Sequence, residues 1–221
     1  MMCRFSIALL VFLLSLSSVK SQDSTRSFTL AMRPFHALVG GYRMDGEFKI
    51  ANSNHWVQVG GELYSNSLSR YSEEDRSRSR RSLRYKGQGY GVSLLYKYYL
   101  DPRRKGDRFY FITGPTFESF RFKYDGYVWA PFQEDGLVKY RRELQPLEDR
   151  LSNFSYSTAI GFQQYIFKYI FVDLYVGFGL KKAIFKSDVV KKENPFGNYL
   201  WDPGRTGTFP VVALRVGVLL F

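Results

Sequence analysis

The stretch GYRMDGEFKI, residues 41–50, decides the fold of this chain. Its apolar side chains fall on one face of an extended backbone: Tyr42, Met44, Phe48 and Ile50. Its charged side chains fall on the other face: Arg43, Asp45, Glu47 and Lys49. This period of two predicts a β-strand with one apolar and one charged face. The pattern alone does not show whether the apolar face meets a protein core or a lipid bilayer.

The same alternation recurs along the chain and predicts eight strands in all. Besides 41–50, they cover 28–33, 57–64, 89–100, 108–124, 154–163, 170–181 and 212–220. Short connections at 51–54, 101–107 and 165–169 alternate with long polar ones at about 66–86, 125–150 and 182–207. This arrangement is typical of an antiparallel up-and-down barrel with tight turns at one end and loops at the other. We expect the long connections to be extracellular loops.

The strand 108–124 breaks the alternation. Near its end, aromatic side chains alternate with cations: Phe120, Arg121, Phe122, Lys123 and Tyr124. Continued backwards, this register would place Glu118 on the apolar face. A β-bulge would restore the expected faces, so we predict one near Gly114–Pro115 or Phe117.

The composition of the two faces favours a membrane barrel over a soluble one. A soluble lipocalin-type barrel points its apolar faces inward, whereas an outer-membrane barrel points them outward. The polar faces contain many small residues, such as Ser155, Ala159 and Gly161, which suit the crowded interior of an eight-stranded barrel. The apolar sets cover about nine to eleven residues, the membrane-crossing length of a strand. A soluble exported ligand-binding barrel remains the alternative.

The interior of such a barrel would contain a cluster of charged side chains. The predicted members are Arg43, Asp45, Glu47, Lys49, Glu62, Lys97, Asp173 and Arg215, with Arg33 and Arg121 as further cations. Buried charges are tolerated only when they are paired and hydrogen-bonded, so we expect structural ion pairs. A proton or ion path is the alternative, which the narrow lumen of eight strands disfavours.

Residues 1–21 are predicted to be a cleaved secretory signal peptide, and residues 22–221 the outer-membrane barrel domain. Arg4 precedes an apolar run, Phe5 to Leu16, that is too short for the roughly 20 residues of a spanning helix. An uncleaved anchor helix is the alternative. The single cysteine, Cys3, lies in this segment, so the mature chain would have no disulfide and no thiolate site.

The chain is basic and rich in aromatic residues. Its formal net charge of +12 becomes +10 when Arg4 and Lys20 leave with the signal peptide, which suggests anionic partners such as lipid headgroups and lipopolysaccharide. Its aromatic content of 18% is typical of a protein with belts of rings at a membrane interface. The Arg/Ser-rich stretch 69–86 could bind nucleic-acid phosphates. Export argues against nucleic acid as a partner.

The sequence contains little that indicates catalysis. Its two histidines, His36 and His55, lack the spacing of a zinc motif, and we predict no catalytic, cofactor-binding or metal-binding residue. A barrel enzyme acting on lipid A or phospholipid is the alternative, with His36 as the one candidate at the barrel rim. Trp129 and Trp201 lie in long loops, either as contacts to a partner or as anchors of the loops on the rim.

Four stretches resemble the small outer-membrane β-barrel proteins of Bacteroidetes, within the broad OmpA/OmpX-like superfamily. They are RPFHALVGGYRMDGEFKI (33–50), YGVSLLYKYYL (90–100), FYFITGPTFES (109–119) and LRVGVLLF (214–221). The resemblance covers nearly all of the mature chain and implies an eight-stranded barrel in the outer membrane. The terminal aromatic, Phe221, is similar to the signal read by the barrel-assembly machinery, although its parity is opposite to that of Leu220.

These motifs are architectural and specify the barrel more than any role. We therefore predict a non-enzymatic protein without a cofactor, with a structural, adhesive or partner-binding role. One form of that role is an accessory subunit of an envelope or secretion assembly.

Overall fold

The computed structural model describes residues 28–38, 40–50, 53–71, 82–100, 107–188 and 202–220. They form eight strands: β1 (Phe28–Met32), β2 (Gly41–Lys49), β3 (His55–Tyr71), β4 (Ser82–Tyr99), β5 (Asp107–Glu134), β6 (Leu137–Tyr165), β7 (Ile170–Ser187) and β8 (Gly207–Leu219). One helical turn, α1 (Phe35–Leu38), lies between β1 and β2. Among all the residues that the structure describes, no helix is long and apolar enough to span a membrane.

The strands form a closed ring. Each pairs antiparallel with its neighbours in the chain, and β1 closes the ring against β8 through pairs such as Thr29 with Leu219 and Met32 with Val216. Closure leaves no free edge in the wall, which allows a sheet to cross a bilayer with its backbone groups satisfied. The predicted all-β, eight-stranded antiparallel barrel is confirmed.

The alternation of side chains places an apolar belt on the outside and charges on the inside. On β2, Tyr42 and Met44 are 74% and 52% exposed, whereas Asp45 and Glu47 are fully buried. The other strands add exposed apolar side chains to the belt: Leu63, Val92, Leu94, Phe154, Ile160, Leu174, Val176, Phe178 and Val212. This is the pattern of a membrane barrel and the inverse of a soluble one, and it argues against the soluble alternative.

The belt has the height of a bilayer's hydrocarbon core. Its outward-facing residues run from Phe109 to Phe117 on β5, which is nine residues, and from Ile170 to Leu180 on β7, which is eleven. A tilted strand needs about 9–11 residues to cross. Polar residues follow on the side of the long connections, beginning with Ser119 on β5 and Lys182 on β7.

The segment 125–150 is not the loop predicted from the sequence. β5 and β6 pair without interruption from Asp107 opposite Gln164 to Glu134 opposite Leu137. Asp135 and Gly136 form the turn, with φ angles of 55° and 75°. Two successive positive φ values are the conformation of a type I′ hairpin turn, for which Asp-Gly is a preferred sequence. The two strands therefore continue beyond the belt as a β-ribbon.

The predicted bulge in β5 is also wrong. The pairing of β5 with β6 keeps one register over its whole length. On the other side, pairing with β4 lapses between Thr113 and Thr116, but the two strands have equal numbers of residues there. Glu118 consequently lies on the same inward face as Phe120 and Phe122.

The apparent change of parity in β5 has a physical cause, which is that the interior becomes apolar above the belt. Phe122, Tyr124 and Leu151 form a buried cluster inside this part of the barrel, and Phe120, Leu147, Ala183 and Phe185 pack against it. Burial, together with the nearby charge of Asp149, raises the pKa of Tyr124. Outside the bilayer the wall meets water, so its apolar face turns inward and its charges face out, as in a soluble protein.

Several predictions fall outside the described residues and stay predictions. They concern the signal peptide 1–21, the middle of the first long connection, half of the third, the short connection 101–107 except for its last residue, and the residues Trp201 and Phe221. Within the first connection, β3 and β4 remain paired as far as Tyr71 opposite Ser82, so the strands extend into the predicted loop 66–86.

Candidate functional site

The barrel interior contains a network of buried ion pairs centred on Arg215. Its guanidinium contacts the carboxylates of Asp173 and Glu47, the latter at 2.6 Å, and donates a hydrogen bond of 2.6 Å to Oε1 of Gln58. Lys97 lies beside it, with Nζ 3.2 Å from both Glu47 Oε1 and Asp173 Oδ2. These side chains come from β2, β3, β4, β7 and β8, so the network ties most of the ring together.

A second part of the network lies closer to the long connections. Arg43 donates hydrogen bonds to Asp45 at 3.0 Å, to Glu62 at 2.9 Å and to the hydroxyl of Ser93 at 2.6 Å. Arg33 contacts the other oxygen of Asp45 at 3.1 Å. Asp45 also lies 3.7 Å from Arg215, which joins the two parts into one cluster.

The cluster is electrically balanced. It contains the cations Arg33, Arg43, Lys97 and Arg215 and the carboxylates Asp45, Glu47, Glu62 and Asp173. Several of these side chains have no exposed surface at all. Paired charges without solvent contact stabilise one arrangement of the wall and leave little room for a water-filled path.

Aromatic rings lie against the cluster on the side of the short turns. The hydroxyl groups of Tyr110 and Tyr99 donate hydrogen bonds to Asp173 and Gln163, and Lys97 Nζ lies 3.8 Å from the centre of the Tyr110 ring. Trp56 packs edge-on against Tyr99. This apolar layer and the aromatic cluster above the belt enclose the charges from both ends.

The structure thus brings together seven of the eight residues predicted for the interior, along with Arg33. Lys49, the eighth, is half-buried and forms no ion pair with any described residue. Arg121, predicted as a further interior cation, instead faces outward and lies 3.3 Å from Glu148. Three neutral partners of the cluster were not predicted, although their inward parity is visible in the sequence: Gln58, Ser93 and Gln163.

The two histidines lie at opposite ends of the barrel. His36, in α1, has its Nε2 3.4 Å from Glu62 Oε2 at the edge of the cluster. His55 lies on the outer surface, where its Nδ1 contacts the hydroxyl of Tyr96. Among the described residues, no group of histidine, cysteine and acidic side chains could hold a metal ion.

The ribbon formed by residues 125–146 is largely exposed. The pairing of β5 with β4 ends at Lys123 and that of β6 with β7 ends at Asp149, so within the described strands the ribbon pairs only with itself. Pro131 and Pro146 lie on its two arms. A proline has no N–H and is tolerated where its nitrogen points away from the partner strand, so each free edge lacks one donor for a further strand.

The two faces of the ribbon differ in chemistry. The outer face continues the outside of the barrel and carries exposed apolar and aromatic side chains: Tyr127, Trp129, Val138, Tyr140 and Leu144. Trp129 is 70% exposed, and Arg142 stacks over Tyr127 at 4.5 Å. The opposite face is more polar, with Lys139 paired to Glu134 at 2.7 Å and Arg141 lying over Phe132. Trp129 therefore lies on an open strand face, not against the barrel rim.

No protein-family model matches the chain, and no curated protein is significantly similar to it in sequence. Solved structures do match. A major outer membrane protein from Thermus thermophilus superposes with a TM-score of 0.53 at 10% identity, over 88% of this chain and 99% of that protein. The N-terminal β-barrel domain of Pseudomonas aeruginosa OprF superposes with a TM-score of 0.39 at 11% identity, over 89% and 98%. The first of these matches shows a shared fold, and that fold is the small outer-membrane β-barrel.

Proposed function

We propose that this chain is a non-enzymatic outer-membrane β-barrel that displays the β5–β6 ribbon to a protein partner outside the membrane. The observation that carries the proposal is the outer face of the ribbon, on which Trp129, Tyr140 and Leu144 are all exposed well beyond the apolar belt.

The barrel itself is best suited to holding the ribbon. Its lumen is filled by the balanced ion-pair cluster, which favours a rigid support over a channel. An enzyme acting on lipid A or phospholipid is the alternative, with His36 at the rim beside Glu62 as its candidate residue.

The chemistry of the ribbon favours a partner that binds its face. Tyrosine, tryptophan and arginine are the residues enriched where protein interfaces are strongest, and all three types occur on the outer face. The prolines on both edges disfavour binding by strand addition. An isolated two-stranded ribbon is only marginally stable in water, so contact with a partner would also stabilise it.

The partner predicted from the sequence is another component of the cell envelope, with a secretion assembly as one such setting. Lipopolysaccharide around the barrel and the barrel-assembly machinery during insertion stay predictions, as does membership of a Bacteroidetes family. Adhesion to another cell would use the same ribbon face, and the identity of the captured protein distinguishes the two roles.

The test is site-specific photo-crosslinking in native membranes. A photoreactive phenylalanine analogue replaces Trp129 or Tyr140 on the outer face, or Phe132 on the opposite face as the matched control. We expect both outer-face positions to capture the same protein and the control position to capture it much less. Heat-modifiable migration on a gel confirms that each variant is a folded barrel.

A second variant tests the proposal independently. Replacing residues 127–144 with an Asn-Gly turn between Gly126 and Gln145, which face each other in the ribbon, removes nearly all of the ribbon above the barrel wall. We expect this variant to insert normally and to lose the co-purifying partner. If neither outer-face position gives a protein adduct, or if the shortened variant retains the partner, the ribbon is not the contact surface.

A further inference from the structure

A band of positive charge surrounds part of the barrel directly above the apolar belt. Its cations all point outward and are exposed: Lys86 on β4, Arg121 and Lys123 on β5, Arg150 on β6, and Lys182 and Lys186 on β7. We refer to these six residues as the basic band.

Within the basic band, like charges face one another across neighbouring strands. Lys86 lies opposite Lys123, Arg121 lies opposite Arg150, and Arg150 lies opposite Lys186. Residues directly opposite in an antiparallel sheet have closely spaced side chains, and like charges there repel each other. Lys123 also lies opposite Glu148, which offsets only part of this charge, so the basic band favours binding of an anion from outside the protein.

The exposed carboxylates nearby do not neutralise the basic band. Glu148 contacts Arg150 at 2.6 Å and Arg121 at 3.3 Å. The hydrogen bond from Arg150, together with the charges of Arg121 and Lys123, lowers the pKa of Glu148. Two further exposed acids are described in this region: Asp188, which accepts a hydrogen bond of 2.9 Å from the backbone N–H of Glu148, and Asp125, which lies two residues beyond Lys123 on the same face. Among the described residues, three carboxylates thus lie among the six cations, and the net charge stays positive.

The height of the basic band identifies which anion would be present. On β7, Lys182 is the next outward-facing residue after Leu180, the last residue of the apolar belt. On β5, Arg121 lies four residues beyond Phe117, where the belt ends on that strand. A strand rises about 3.3 Å per residue, so these cations lie within a few ångströms of the edge of the hydrocarbon core. That is the level of the lipid headgroups.

We infer that the basic band binds the phosphate groups of phosphorylated glycolipid in the outer leaflet. The guanidinium groups of Arg121 and Arg150 present planar donor pairs that match phosphate oxygens, and the lysines add charge on both sides. This inference does not depend on the ribbon or on its partner.

The test measures lipid binding to the full chain folded in detergent, by native mass spectrometry. The probes are lipid A with two phosphates and the same lipid A after enzymatic dephosphorylation. The variant carries Arg121→Gln, Lys123→Gln and Arg150→Gln. A control removes the same number of charges away from the basic band, by Lys139→Gln, Arg141→Gln and Lys168→Gln.

We expect wild type and control to bind phosphorylated lipid A equally and to prefer it to the dephosphorylated form. The band variant should bind phosphorylated lipid A at least about tenfold more weakly, since each basic residue near an anionic surface contributes to the attraction. If the triple variant does not fold, Arg121→Gln and Arg150→Gln are measured singly, and each should weaken binding several-fold.

Three results would overturn the inference. One is equal binding of phosphorylated lipid A by wild type and the band variants. Another is equal binding of the two lipid probes by wild type. The third is full displacement of lipid A by millimolar inorganic phosphate, which would identify a site for the free ion and not for a lipid headgroup.

Discussion

Nζ of Lys97 on β4 lies 3.2 Å from Oδ2 of Asp173 on β7, so this ion pair crosses the inside of the barrel. The two strands are separated by β5 and β6 in the ring. Both side chains are fully buried, and Arg215 contacts the same carboxylate. Because the charges of the cluster cancel, removal of any one of them leaves its opposite uncompensated in the interior.

The first prediction concerns Arg215→Met. This change leaves Asp173 and Glu47 without their shared guanidinium, and we expect the free energy of unfolding to fall by about 3–5 kcal/mol. Urea unfolding of the barrel in lipid vesicles measures it. Lys49→Met is the control, because Lys49 has inward parity but no ion pair with the described residues, and it should cost less than about 1 kcal/mol. Equal losses for the two variants would contradict a structural role for the cluster.

The second prediction concerns the lipid-facing side of β2. Met44 is half-exposed on the apolar belt. Met44→Arg should make folding into membranes less favourable by about 2–4 kcal/mol if that position is near the bilayer midplane. The matched change Ser119→Arg, just above the belt, should cost about 0–1 kcal/mol. The same refolding assay compares them. If Met44→Arg folds as well as wild type, the assignment of faces is wrong.

The third prediction concerns the approach of β6 to β7. A Cβ atom at Gly177 would lie 2.1 Å from the carbonyl oxygen of Thr158, a backbone atom that cannot move aside locally. We expect Gly177→Ala to destabilise the barrel by about 1–3 kcal/mol through overpacking. At Gly61, which faces outward, no described heavy atom lies within 4 Å of such a Cβ. Gly61→Ala should therefore leave the urea midpoint unchanged or raise it.

The fourth prediction concerns the tip of the ribbon. Gly136 has a φ of 75°, and Gly136→Ala should cost about 1–2 kcal/mol because a side chain disfavours the left-handed region. Amide hydrogen exchange should accelerate in residues 126–145 and stay unchanged in the barrel wall. Asp135→Asn is the control, since Asn-Gly also favours this turn. Accelerated exchange throughout the barrel would show that the ribbon and the wall unfold together.

The sequence was sufficient to predict the strands and their faces within the membrane. Side-chain parity places Tyr42 and Met44 outside and Asp45 and Glu47 inside, because in lipid every strand must keep one apolar face. It could not predict which charges meet. The contact of Lys97 with Asp173 depends on the stagger of strands on different sides of the ring, which no local pattern records.

Outside the membrane, side-chain parity predicted the wrong faces. Two predictions assumed that the apolar face points outward along the whole strand: the bulge near Gly114–Pro115 and the inward position of Arg121. The predicted loop at 125–150 assumed that a polar segment forms no strand. Above the belt, water replaces lipid and the aromatic rings of Phe122 and Tyr124 turn out to be interior. The Asp135-Gly136 turn was the local signal that could have revealed the ribbon.

The unbroken register of β5 and β6 bears on how related sequences can diverge. Adding or removing two residues in each arm would change the reach of the ribbon by about 6.6 Å while every side chain kept its face. A change of one residue in each arm, between the barrel wall and these positions, would turn Trp129 and Tyr140 to the opposite side. Homologues can therefore differ in the length of the ribbon by an even number of residues in each arm, while the membrane-embedded wall stays the same.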